Sequence, residues 1–174
     1  MKNLIETVHK CYLNVRISTN SRLQLLIILI FSGAIVGVEI RHMRVPSVLQ
    51  NGSKPFVILD CDYDISSEQE GRGLDVKWFF GNNHQPFYQW LPGRRPQTRG
   101  ERFRGRIDLH YEVEGSNKFS KHRALKILRP TTELSGTYRC KVSSFLDEDF
   151  RQKTMIIYCK YTACINELLM LEMM

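Results

Sequence analysis

The chain has 174 residues, 43% of them hydrophobic and 25% charged, which is enough apolar material for one packed domain with extensions and excludes wholesale disorder. The formal net charge of +7 favours acidic partners such as sulfated glycans, anionic membrane surfaces or nucleic acid. Five cysteines occur with neither CxxC nor Cys/His spacing, which argues against a zinc site.

In chain order, the first pattern is the apolar run LQLLIILIFSGAIVGV at 23–38, preceded by Lys2, Lys10, Arg16 and Arg22 against the lone acid Glu6. A basic stretch followed by a short apolar stretch predicts that 1–38 is a signal peptide, or a signal anchor with a long leading region. Either form sends the remainder to an extracellular compartment, secreted or membrane-tethered, where disulfides are the default state of cysteine. Asn51-Gly52-Ser53 then forms an N-glycosylation sequon, marking Asn51 as a candidate glycan site.

Strand-like runs follow. FVILDCDY (56–63) alternates Val57, Leu59 and Cys61 on one face with Asp60 and Asp62 on the other. LDVKWFF (74–80) places Leu74, Val76, Trp78 and Phe80 inward and Asp75, Lys77 and Phe79 outward. FYQWL (87–91), RIDLHYEVE (106–114), RALKILR (123–129), GTYRCKVSS (136–144) and KTMIIY (153–158) complete the series, separated by turn-rich segments. Short strands at this spacing predict an all-β antiparallel sandwich or barrel over 43–158. The remaining CKYTACINELLMLEMM (159–174) reads as an irregular or short helical tail. Cys159 and Cys164 could pair there, and Cys11 falls in the leading region.

Chemistry-bearing motifs are scarce. His9, His42, His84, His110 and His122 are scattered, and no GxSxG, HExxH, P-loop or dinucleotide fingerprint occurs, so neither an enzyme nor a cofactor is expected. Asp60, Asp62 and Asp64 alternate along an extended run without the glycine turn that wraps calcium, and are read as a solvated strand face. Arg94, Arg95, Arg99, Arg102, Arg104 and Arg106 form a basic run suited to heparan sulfate. The same run would fit nucleic acid, but the export signal argues against that partner. Asp147, Glu148 and Asp149 supply opposite charge, which suggests pairing between protomers of a homodimer.

Cys61, Trp78 seventeen residues later, and Tyr138 two residues before Cys140 together resemble an immunoglobulin variable-type (V-set) domain, a Greek-key sandwich. The resemblance implies a Cys61–Cys140 disulfide between the sheets, with Trp78 packed on it. It also implies Tyr138 as a tyrosine corner and Leu125 and Ile127 as inward residues of strand E. One departure is Leu134, which stands six residues before Cys140 where such domains carry Asp. The usual partner of that Asp is an Arg at the start of strand D, for which Arg102 or Arg106 is the candidate, and Glu133 is adjacent.

LDCDYDI, VKWFF, PFYQWLPGRRP and LSGTYRCKVS are similar to the first immunoglobulin domain of the insect Beaten path family over roughly 44–158. That similarity implies a neuronal recognition or adhesion protein that binds Sidestep-like immunoglobulin receptors in axon guidance. In such sandwiches the GFCC′ sheet meets partners. Alternation puts Lys77, Phe79, Arg139 and Lys141 on that face, and Tyr88 and Trp90 are expected to join them, because Phe87 and Leu91 better suit a core.

Overall fold

A computed structural model describes residues 37–66 and 73–160. The expected signal segment, except for its last two residues, and nearly all of the tail lie outside the described residues, as do Cys11 and Cys164. Among the described residues no helix is long and apolar enough to cross a membrane.

Among the described residues nine strands form: β1 (Val38–Arg44), β2 (Val48–Gln50), β3 (Phe56–Ile65), β4 (Asp75–Phe80), β5 (Tyr88–Trp90), β6 (Gln97–Thr98), β7 (Leu125–Leu128), β8 (Gly136–Ser143) and β9 (Glu148–Tyr158). They build a three-stranded sheet in the order β1-β3-β7 and a six-stranded sheet in the order β2-β9-β8-β4-β5-β6. β2 runs parallel to β9, while the other neighbours are antiparallel. The first strand is thus divided between the two sheets. Pro46 stands at the crossing, where a residue without an N–H ends one ladder before the next begins. This order, with a split first strand and extra strands beyond β4, is that of an immunoglobulin variable-type sandwich. Strands β3, β4, β5, β6, β7, β8 and β9 correspond to B, C, C′, C″, E, F and G.

The core lies between the sheets. Cys61 and Cys140 are bonded across it, closing a loop of sequence separation 79. Trp78, Tyr138, Leu125 and Ile127 are fully buried around that bond. Closing so long a loop restricts the unfolded chain and contributes typically ~2–5 kcal/mol.

Two expected elements differ. RIDLHYEVE (106–114) is not a strand: only Ile107 bridges to Ile127, and turns follow up to residue 124. Asp108 explains the break, since its carboxylate accepts the His110 N–H at 3.1 Å and bends the chain locally instead of leaving it to a ladder. β9, expected at 153–158, begins at Glu148, because β8 and β9 join through a tight turn and pair from Glu148 to Met155.

The irregular segment so formed is tied down from inside the core. Tyr63 donates to the Phe119 carbonyl at 2.5 Å, Trp78 to that of Arg123 at 3.1 Å and Tyr88 to that of His122 at 2.8 Å. Three aromatic side chains keep their polar tips satisfied, and the carbonyls of a segment without ladder partners gain fixed donors. Burial raises the pKa of the Tyr63, Tyr88 and Tyr138 hydroxyls well above the usual phenol range, so they remain donors.

Candidate functional site

The outward row of the six-stranded sheet follows from register. Gln97 pairs with Gln89, Gln89 with Lys77, Lys77 with Lys141, and Lys141 with Phe150. One step along, Phe79 pairs with Arg139 and Arg139 with Gln152. Lys77, Arg139 and Lys141 therefore share one face, with Phe79 beneath them.

Two of the expected contact residues, Tyr88 and Trp90, are corrected here, and a third, Phe79, is largely covered. Trp90 and Tyr88 are 0% and 3% exposed and belong to the core. The reason is register: Tyr88 pairs with the inward Trp78 and Trp90 with the inward Val76, and cross-strand partners point to the same side of a sheet. Phe87 is buried as well, stacked on Phe103 at 3.8 Å, because it precedes the strand and escapes its alternation. Phe79 does face outward, yet it is only 7% exposed, with the Arg139 guanidinium over its ring at 4.6 Å. Asp60 is a further correction: it is buried and held by Arg123 at 2.9 Å, not solvated. Asp62 pairs with the same guanidinium at 2.8 Å. Burial opposes the charge of Arg123, but the Asp60 hydrogen bond and both carboxylates outweigh it and raise its pKa.

Charges on the sheet face are largely internally matched. Lys77 meets Asp75 at 2.6 Å, Gln89 donates to the same carboxylate at 2.9 and 3.1 Å, and Lys141 meets Glu148 at 2.6 Å. Asp147 and Asp149 accept the N–H groups of Val38 and Ile40 at 3.2 and 2.8 Å. The acids of the β8–β9 turn are thus used within the domain, where they satisfy backbone donors of β1.

The basic run is divided by β6. Arg94 and Arg95 lie in the β5–β6 turn, whereas Arg99 to Arg106 follow β6 at the opposite end of the sheet. Arg104 pairs with Glu101 at 2.5 Å, and Arg106 pairs with Glu133 at 2.5 Å while donating to Thr131 Oγ1 at 2.7 Å. Arg102 donates to the Glu133 carbonyl and covers the Phe80 ring at 5.1 Å. Arg94, Arg95 and Arg99 are exposed and have no acidic partner among the described residues. Asn51 sits in the turn after β2, its amide 3.8 Å from Sγ of Cys159, itself disulfide-bonded.

Sequence reasoning passed over the most exposed apolar groups. Among the described residues the exposed large hydrophobics are Val48, Phe56, Phe145, Leu146, Phe150, Ile156 and Tyr158. All but Phe56 lie on β2, on β9 or in the turn between β8 and β9. The available signal was Phe-Leu set between Ser and Asp in SSFLDEDF: an apolar pair flanked by turn formers has no core to enter.

No family model matches the chain, and no curated protein does. Among solved structures, extracellular domains 3–5 of Drosophila OTK match at 16% identity and a TM-score of 0.49, over 71% of this chain and 37% of that one. The chain thus spans about a third of that fragment. The human B7-H4 IgV-like domain matches at 17% identity and a TM-score of 0.48, over 70% of this chain and 95% of the other.

Proposed function

We propose that this chain is an extracellular recognition module that binds another surface protein through the GFCC′ sheet. One observation carries the reading: six of the seven exposed large hydrophobics gather along the β2–β9 edge of that sheet and its adjoining turn. Single exposed apolar residues are ordinary, but these form two clusters, Val48 with Ile156 and Tyr158 at one end of the edge and Phe150 with Phe145 and Leu146 towards the turn, and clusters of this kind mark interaction surfaces. The outward row beside it offers Arg139 and Lys141, a composition suited to an interface of aromatic and arginine anchors. The Cys61–Cys140 bond supports an oxidising compartment. The contact surface accordingly shifts from the C′ strand, whose aromatics are core, to the G strand and its adjoining turn.

The similarity to Beaten path proteins makes Sidestep-like immunoglobulin receptors the first partners to test, with axon guidance as the setting. The full chain, presented as a multimer, is screened against an array of surface-receptor ectodomains. Phe150→Ala combined with Ile156→Ser is expected to weaken the binding found by tenfold or more, on the order of one to two hot-spot contacts. Unchanged binding by a folded double variant would reject the assignment of this face. Heparan sulfate remains the alternative ligand, supported by the exposed Arg94, Arg95 and Arg99, which have no acidic partner among the described residues. It predicts heparin affinity that falls steeply with salt.

A further inference from the structure

The turn joining β8 to β9 is built to hold an apolar tip in place. Ser144 N–H donates to the Asp147 carbonyl at 2.8 Å, and Ser144 Oγ accepts from the Leu146 and Asp147 N–H groups at 3.3 and 3.2 Å. Phe145 and Leu146 occupy the two central positions of this turn and are 80% and 79% exposed. Phe145 rests on Gly73, where an added Cβ would lie 2.5 Å from its ring. The ring therefore has a fixed seat on one side and solvent on the other. A rigid turn loses little conformational freedom on binding, which is the physical advantage of holding two apolar side chains in water.

The same end of the sandwich carries Arg94 and Arg95. Pairing of Val76 with Trp90 and of Asp75 with Ser143 places the β5–β6 turn and the β8–β9 turn at one end of the sheet. About two to three strand spacings of ~4.8 Å separate them, within the footprint of one ordinary interface. On this sheet the described acids at this end are engaged, Asp75 by Lys77, Glu148 by Lys141, and Asp147 and Asp149 by the β1 backbone; on the facing sheet Asp64 pairs with Arg41 and Glu39 is exposed. What remains open is an apolar tip with two arginines to one side.

We infer that this loop end is the contact centre for a protein partner presenting an apolar pocket bordered by carboxylates. The inference rests on the recognition reading above and adds the site and the partner's chemistry. Phe145 and Leu146 would fill the pocket, and Arg94 and Arg95 would meet the acidic border.

The test uses the full chain on the same ectodomain array, with soluble heparin as a second probe. Phe145→Ser with Leu146→Ser is expected to weaken binding by about thirtyfold, the scale of a hot spot. Arg94→Glu with Arg95→Glu is expected to weaken it about tenfold and to flatten its salt dependence, and changing the partner's bordering carboxylates to Lys should restore it. All four positions are exposed, so unchanged melting temperatures verify the fold. If Phe150→Ala with Ile156→Ser abolishes binding while both loop-end variants leave it intact, recognition stands and the loop-end inference fails. If heparin binds and the Arg94/Arg95 variant removes only that binding, the pair serves a sulfated glycan and the inference is overturned. An array without any binder rejects the recognition reading together with the inference.

Discussion

Leu134 and Glu133 show how one corner can be rebuilt without losing its function. Leu134 is fully buried, so an Asp there would have to enter the core. The ion pair is made one residue earlier, by Glu133 with Arg106. Tyr138 still donates to the Leu134 carbonyl at 2.7 Å, a bond that depends on the backbone and not on the side chain at 134. Tyr138→Phe would strand that buried carbonyl and is expected to cost about 1–2 kcal/mol in denaturant unfolding. Glu133→Gln should cost less than ~1 kcal/mol, since the pair is half open to water. Trp90→Ala should remove about 3–5 kcal/mol of stability by opening a core cavity, and should affect binding only through loss of fold. A soluble variant of wild-type stability would contradict the placement of Trp90.

At the scale of elements, alternation identified β3, β4, β7 and β8 correctly because each has one clearly apolar face. It failed for β5, where Phe87, Tyr88, Trp90 and Leu91 offer two apolar phases, and only pairing with β4 chooses between them. It failed again at 106–114, where alternation is present but turns intervene. That segment brings a pH dependence. The Lys126 hydrogen bond at 3.1 Å lowers the pKa of Asp108 below the usual carboxylate value, outweighing the opposing effect of burial. A carboxyl with a depressed folded pKa stabilises the fold above its unfolded value of about 3.9, and this contribution disappears as pH falls through the lower folded value. Lys126→Met should therefore flatten the loss of stability below about pH 4, measured by urea unfolding across pH. An unchanged slope would show that the pair contributes nothing.

At the scale of the molecule, the interface features come from where the fold leaves side chains, not from unusual residue types. Alternation along β9 leaves its outward Phe150 and Ile156 in water, while Met155 and Ile157 on its opposite face are buried. The arginine run, contiguous in sequence, is divided between two ends by a two-residue strand. By itself the sequence determined an antiparallel sandwich or barrel, because period-2 burial is written in residue type and spacing, and its resemblance to variable-type domains implied the central Cys61, Cys140, Trp78 and Tyr138. Tertiary structure alone decided which aromatics became core, which charges were neutralised within the domain and which apolar groups stayed exposed. Those outcomes depend on cross-strand register and on the partners that chain reversal brings together, and neither is encoded in any local window.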